Sequence, residues 1–158
     1  EKEHDKFADL IKNMEGKKEL GLRAIFKEDV IYKEISENYE DIKKLKKALL
    51  SEPPAKTYYL RVEVGRKVEA ALTEEKDARK EEILNTLSPL AIDTKVNTPY
   101  GELTIINAAF LVENAKEAEF DRNVQAIADK YDDKIKFKYT GTLPPFNFVN
   151  LVIETGSY

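Results

Sequence analysis

Side chains that commonly carry out catalysis are scarce in this sequence. Its single histidine is His4, in a charged N-terminal stretch, and cysteine is absent. These facts exclude a Ser-His-Asp relay, a cysteine nucleophile, a thiolate metal site and a histidine-rich metal site. We interpret His4 as a solvated surface residue, because chain termini are usually loosely held.

Two pairs of adjacent acidic residues are the remaining candidates for acid–base or metal chemistry. They are Glu81 with Glu82 and Asp132 with Asp133. Neighbouring residues on a helix or turn do not converge on one point, so we interpret both pairs as solvated surface. Neither GxGxxG nor GxxxxGK[ST] occurs. The sequence therefore predicts no catalytic residue, no metal, no cofactor and no enzymatic activity.

A basic run, "KKLKK" at 43–47, is compatible with contact to an anionic surface. Its lysines are interleaved with Ile42 and Leu45, so the simpler interpretation is that they form the solvent-facing side of an amphipathic helix. The formal net charge of −4 and the pI near 5.3 disfavour a nucleic-acid partner.

The composition is that of one folded domain. The chain has 158 residues, of which 42% are hydrophobic and 35% charged. No apolar run approaches the roughly 18 residues of a membrane span, and the lack of cysteine favours the cytoplasm. Because the sequence does not begin with Met, we expect an earlier segment before Glu1. Residues 1–16 read as a lead-in helix or the end of a preceding linker.

Apolar spacing then predicts the first half of the fold. "KKELGLRAIF" alternates like a half-buried strand, and residues 27–50 read as a helix in one or two pieces, with Asn38 capping the second. "SEPP" ends that helix. Residues 57–87 read as one long helix, whose middle, "TEEKDARKEE", is expected to project into solvent with Glu75 paired to Arg79.

The residue pattern in the second half of the chain predicts a hairpin, a helix and a last strand. The hairpin runs over 90–97 and 102–113 around "NTPYG", and a helix capped by Asn114 precedes the strand "IKFKYTG". The order of strand, helices, strand, strand, helix and strand is that of an α+β, ferredoxin-like antiparallel sheet with an enlarged helical first crossover. Its helices are expected on one face.

A C-terminal strap, residues 140–158, contains "TGTLPPFNFVN" and an apolar tail too long to leave in water. Its prolines exclude it from a central strand. It either closes the core of its own domain or offers an edge and an apolar surface to another subunit. We predict partner-binding residues in it: Pro144, Pro145, Phe146, Phe148 and Leu151.

Four segments carry a resemblance to a known family. The two most specific are "NAAFLVENAKEAEFDRNVQAIADKY" and "IKFKYTGTLPPFNFVNL", and the weaker two are "GKKELGLRAIFKED" and "KTYYLRVEV". In these segments the sequence resembles the gas vesicle accessory proteins GvpF and GvpL. Family members carry a Thr-Gly-Pro-Trp-Pro-Pro-Tyr-x-Phe motif, which this chain matches at Thr140, Gly141, Pro144, Pro145 and Phe148. It departs from the motif at Thr142, Leu143 and Phe146.

The resemblance implies that residues 17–158 are the C-terminal domain of such a protein. It also implies a non-enzymatic role in gas vesicle assembly, or as a minor vesicle component, with the small hydrophobic shell protein and other accessory proteins as partners. The expected location is the cytoplasm, on gas vesicles. A small-molecule-sensing regulatory domain is the alternative, because ferredoxin-like sheets also hold ligands at dimer interfaces. The oligomeric state and the choice between GvpF and GvpL stay open.

Overall fold

The computed structural model describes residues 16–143. Within this range the elements follow the order β1 (Lys17–Phe26), α1 (Glu28–Asn38), α2 (Glu40–Ser51), α3 (Tyr58–Leu87), β2 (Asp93–Val96), β3 (Thr104–Glu113), α4 (Glu117–Lys130) and β4 (Ile135–Leu143). Short 3-10 turns precede and follow α3 and lead into α4. The predicted mixture of helices and strands and the predicted long helix are confirmed.

The strands form one antiparallel four-stranded sheet in the order β2-β3-β1-β4. β1 is a central strand, since its Leu22 pairs with Ala108 of β3 on one side and with Tyr139 of β4 on the other. In the described part of the chain β2 and β4 are therefore the two edge strands. The predicted single antiparallel sheet is confirmed.

The hydrophobic core lies between one face of the sheet and the helices. Alternate residues of β1 face it and are at most 2% exposed: Leu20, Leu22, Ala24 and Phe26. The helices contribute Ile31, Ile35, Ile42, Leu72, Ile83, Leu87, Phe120, Val124 and Ile127 to the same cluster. Each large apolar side chain buried here contributes about 1.5–3 kcal/mol. The described helices therefore share one face of the sheet.

Strand β3 is buried on both faces. Its Phe110 and Val112 belong to the core under the helices, whereas Ala109 and Leu111 alternate with them and lie on the opposite face. Ala109 and Leu111 are nevertheless only 2% and 4% exposed, as is Glu19 beside them at 4%. This explains why β3 reads as a nearly continuous apolar run rather than as an alternating one.

Two predicted helix caps are wrong. Asn38 is the last residue of α1, and the extended Tyr39 takes the N-cap position of α2 because its side chain packs against the core. Asn114 begins a 3-10 turn, and Lys116 is the N-cap of α4. The Asn114 backbone instead donates a 2.8 Å hydrogen bond to the carbonyl of Gly16, which ties it to the start of β1.

The β2–β3 hairpin is present but its strands are shorter than predicted. β2 contains four residues, because residues 88–90 form a 3-10 turn. Two backbone hydrogen bonds extend the pairing beyond β2, from Ile92 to Leu111 at 2.7 Å and from Asn97 to Asn107 at 2.8 Å. Gly101 closes the connection with a φ of +86°, a conformation that glycine adopts without steric cost.

Candidate functional site

The predicted partner-binding residues lie outside the described part of the chain. This holds for Pro144, Pro145, Phe146, Phe148 and Leu151, and also for His4 and nearly all of the predicted lead-in helix. The structure does describe the strand that leads to them. The backbone of β4 pairs with β1 as far as Leu143, which lies opposite Glu19.

Strand β4 lies at one edge of the described sheet. Among the strands of residues 16–143 it is hydrogen-bonded to β1. The exposed Lys136 and Lys138 lie on the sheet face away from the helices and discourage indiscriminate strand addition. Gly21 allows the close pairing with β4, because a Cβ at this position would lie 2.7 Å from Oγ1 of Thr140. An edge strand is the type of strand to which an extended segment can be added.

A cluster of charged and aromatic side chains joins α3 to the end of α4. The Tyr131 hydroxyl donates to Glu82, and Lys130 Nζ reaches the other oxygen of Glu82 at 2.8 Å. Arg79, Lys130 and Lys134 each lie 5.1–5.4 Å from the centre of the Tyr131 ring. Each side chain in this cluster has a partner within it, so the cluster acts as a structural joint.

This joint corrects the prediction that the middle of α3 projects into solvent. Glu75, Arg79 and Glu82 are half-buried, and the predicted pair of Glu75 with Arg79 is replaced by two other contacts. Arg79 Nε lies 3.7 Å from Glu82, and Glu75 accepts a 3.1 Å hydrogen bond from the hydroxyl of Tyr39. The polar stretch packs through its tyrosine partners, which hydrophobic spacing alone does not reveal.

The Tyr39 hydroxyl links the bend between α1 and α2 to the long helix. Burial raises the pKa of Tyr39 from 10.0 to about 12, and the charge and hydrogen bond of Glu75 add to the effect. The folded protein thus holds the phenolic proton more tightly than the unfolded chain. This contribution to stability is present below pH 10 and is lost as the pH rises towards 12.

We therefore expect Tyr39→Phe to flatten the alkaline loss of stability. Between pH 10 and 12 the free energy of unfolding should fall less steeply in the variant, by a slope difference equivalent to at most one proton. Urea unfolding at a series of pH values measures this slope. Tyr100→Phe, at a residue 77% exposed, is the matched control and should leave the slope unchanged. Equal slopes for Tyr39→Phe and the unmodified protein would contradict the assignment.

Helices α2 and α3 extend beyond the sheet as an antiparallel pair. Between residues 43 and 67 no apolar side chain belongs to the described core or packs against it, and α3 first reaches the core at Val68. We call residues 43–67 the helical arm. An ion pair of 3.0 Å between Lys67 and Asp41 fixes the two helices side by side at its base.

The far end of the helical arm carries exposed apolar side chains. Leu50 ends α2 with 89% exposure, and Tyr58, Tyr59 and Val62 begin α3 with 62%, 83% and 54%. We call these four residues the aromatic tip. The two tyrosine rings meet edge to face with centroids 5.5 Å apart. Sequence reasoning missed this surface, although the off-stripe pair Tyr58–Tyr59 was a usable signal.

A groove of about 270 Å³ lies between α1, α3 and the loop before β3. Its lining mixes Tyr32 and Leu72 with the charged Glu69, Lys76 and Glu102. Burial, followed by the charges of Glu102 and Glu28, raises the pKa of Tyr32. The phenol therefore keeps its proton at physiological pH.

Between residues 16 and 143, no group of three or more His, Asp or Glu side chains is arranged to hold a metal ion. None of the helices in the same range is long and apolar enough to cross a membrane.

The chain is similar to known proteins in sequence. The profile of the gas vesicle synthesis protein family GvpL/GvpF matches residues 1–150. Gas vesicle protein F of Dolichospermum flosaquae is 26% identical over 147 residues, which are 93% of this chain and 59% of the relative. Gas vesicle protein F of Haloferax mediterranei is 31% identical over 77 residues, covering 49% of this chain and 36% of the relative.

Two solved structures have the same fold. The crystal structure of GvpF from Anabaena sp. PCC7120 has a TM-score of 0.80 at 20% identity, over 93% of this chain and 59% of that protein. The crystal structure of GvpF from Microcystis aeruginosa has a TM-score of 0.71 at 20% identity, over 94% of this chain and 60% of that one. The chain thus spans about three fifths of the length of these relatives.

Proposed function

The chain belongs to the gas vesicle GvpL/GvpF family, and we propose that it is a non-enzymatic assembly factor or minor component of gas vesicles. Its partners in this role are the small hydrophobic shell protein and other accessory proteins, and its place is in the cytoplasm, on gas vesicles. The match of the family over residues 1–150 carries the proposal. The relatives, named gas vesicle protein F, support the vesicle role.

We assign the domain to the ferredoxin-like fold. The order β2-β3-β1-β4, with every neighbour antiparallel and helices on one face, supports this assignment. Residues 17–158 are then one C-terminal domain, in which α1, α2 and α3 form an enlarged first crossover. A sheet of this kind keeps two edges, and β4 is the one that continues into the strap.

The partner-binding site combines the edge strand β4 with the strap that follows it. Backbone groups along an edge strand bind an added strand, and apolar side chains next to it supply affinity. Phe146, Phe148 and Leu151 come shortly after the edge in sequence, preceded by Pro144 and Pro145. A very apolar shell subunit needs such a surface to hold it before it polymerises.

Replacing Phe146 and Phe148 together with serine should abolish co-purification with the shell protein. Two aromatic side chains contribute several kcal/mol to a buried contact, so retention should fall by about a hundredfold or more. The assay is affinity capture of the tagged chain co-expressed with the shell protein. The matched control is Tyr100→Ser, which removes an exposed aromatic residue outside the strap.

Two outcomes would contradict the assignment of the partner-binding site to the strap. Full retention of the shell protein by the serine variant would place the contact elsewhere. A loss of far-UV circular dichroism would show that the strap closes the core of its own domain. In that case Phe146→Leu with Phe148→Leu, which keeps apolar bulk, should restore the fold, and retention by that variant then reports binding alone.

A further inference from the structure

The helical arm is strongly basic in an acidic chain. Residues 43–67 contain eight Lys or Arg and two Glu, a formal charge of +6, whereas the whole chain carries −4. Most of these cations are exposed, among them Lys43, Lys44, Lys46, Lys47, Lys56 and Arg61. Two of the others are paired, since Lys67 contacts Asp41 and Arg66 contacts Glu63 at 2.6 Å. None of the six exposed cations forms an ion pair within the described residues, although Lys46 donates to the hydroxyl of Ser36, so the arm keeps an excess of positive charge along its length.

The aromatic tip sits among these cations. Val62 follows Tyr58 by four residues and Tyr59 by three, so the three side chains share one side of the first turns of α3. Because α2 and α3 are antiparallel, the end of α2, which carries Leu50, lies beside the start of α3. The distance from Tyr58 to the first core contact at Val68 is about 15 Å along the helix. The tip thus stands clear of the sheet.

Leaving this surface in water is unfavourable. Burial of the exposed rings of Tyr58 and Tyr59 against a partner would lower the free energy of the complex. The described core does not bury them. Tyrosine combines a rigid apolar ring with a hydroxyl, and is enriched at protein–protein interfaces for this reason. Surrounding lysines and arginines select partners of opposite charge.

We propose that the aromatic tip and the cations around it form a second binding surface, which takes an acidic amphipathic helix of another protein. The apolar side of that helix lies on Leu50, Tyr58, Tyr59 and Val62. Its carboxylates meet Lys46, Lys47, Lys56 and Arg61 at the rim. This surface is separate from β4 and the strap, so its failure would leave the proposed function intact.

The geometry of the aromatic tip favours a polypeptide over a bilayer. Two tyrosine hydroxyls on adjacent residues suit the fixed donors and acceptors of a polypeptide, and helix-in-groove recognition uses three or four apolar anchors of this spacing. The competing partner is a second copy of this chain, bound through its own acidic surface, and sedimentation velocity distinguishes this case.

The probe is a fluorescein-labelled synthetic peptide with leucine at positions i, i+3, i+4 and i+7 and glutamate elsewhere. We expect the full chain to bind it in fluorescence anisotropy, and to bind a peptide with lysine in place of every glutamate at least about tenfold more weakly. Raising the salt to about 0.5 M should weaken the binding, because exposed charges are then screened.

Two sets of variants should weaken the binding by about tenfold or more. Tyr58→Ser with Tyr59→Ser removes the apolar anchors, and Lys46→Glu with Lys47→Glu reverses the charge at the rim. All four residues are exposed, so the fold should persist, and far-UV circular dichroism checks this. Tyr100→Ser, with a 77% exposed ring distant in sequence from the arm, is the control and should bind as the unmodified chain does.

Four outcomes would contradict the proposal. The first two are equal binding of the acidic and basic peptides and unchanged peptide binding by both sets of variants. Binding of the unmodified chain, but not of the tyrosine variant, to phosphatidylglycerol vesicles in place of the peptide assigns the surface to a membrane. Self-association in sedimentation velocity that the same variant abolishes assigns it to a second copy of this chain.

Discussion

Replacing Phe120 with alanine is expected to lower the free energy of unfolding by about 3–5 kcal/mol. Phe120 is fully buried under the sheet. Its ring centre lies 5.1 Å from that of Phe110 in β3 and 6.2 Å from that of Tyr139 in β4. The variant would leave a cavity where α4 meets two strands, and the neighbouring rings would lose their partner.

Urea denaturation of the purified chain measures this cost. Glu119→Ala is the matched control, because Glu119 precedes Phe120 in α4 and is exposed, so the change should stay within about 0.5 kcal/mol. Phe120→Leu, which keeps most of the volume, should cost less than Phe120→Ala. A cost of less than about 1 kcal/mol for the alanine variant would show that α4 does not pack on the sheet as described.

Replacing Tyr131 with alanine is expected to cost about 3–4 kcal/mol. The side chain is 7% exposed, and three cations surround its ring. The variant would remove an apolar group from the core and the ring face that holds Arg79, Lys130 and Lys134 together. Those three positive charges would then lie close to one another, with Glu82 as the counter-charge of Arg79 and Lys130 and Glu34 as that of Lys134.

Tyr131→Phe separates the ring from the hydroxyl. It keeps the contacts of the cations with the ring but removes the donor to Glu82 and the acceptor of a 3.3 Å hydrogen bond from Arg79. Because Glu82 retains Lys130 at 2.8 Å, the expected cost is about 1 kcal/mol. The comparison uses thermal and urea unfolding of both variants. If Tyr131→Phe were as destabilising as Tyr131→Ala, the hydroxyl rather than the ring would hold α3 to α4.

The class and order of elements could be read from the sequence because the signals are periodic. β1 alternates cleanly, with Leu20 and Leu22 facing the helices, and prolines bound the long helix on both sides. Helix caps were less predictable. Asn38 and Asn114 are good cap residues by type, but packing of Tyr39 and the bond from Asn114 to Gly16 decided the actual boundaries.

The extent of packing along α3 was the main feature that spacing could not predict. Leu60, Val64 and Val68 form one apolar stripe, yet Val68 alone among these three packs against the core. A stripe shows which side of a helix is apolar, but not where the neighbouring sheet ends. Charge was the available signal, since the basic residues concentrate in the segment that leaves the sheet.

The candidate binding site was predictable in part. The edge position of β4 in the described sheet follows from the strand order, which the sequence indicated through its order of elements. The strap residues Phe146 and Phe148 lie outside the described range and stay a prediction. The aromatic tip was missed, because Tyr58 and Tyr59 were read only as the opening of a helix.

The central place of β1 has a consequence for the timing of folding during synthesis. Leu22 is synthesised more than a hundred residues before its β4 partner Tyr139. At about 5–20 residues per second, the side of β1 that pairs with β4 therefore waits several seconds for its partner strand. We therefore expect this protein to aggregate in cells that translate the last part of its message slowly or that lack chaperones. Truncated chains that lack β4 should aggregate rather than fold.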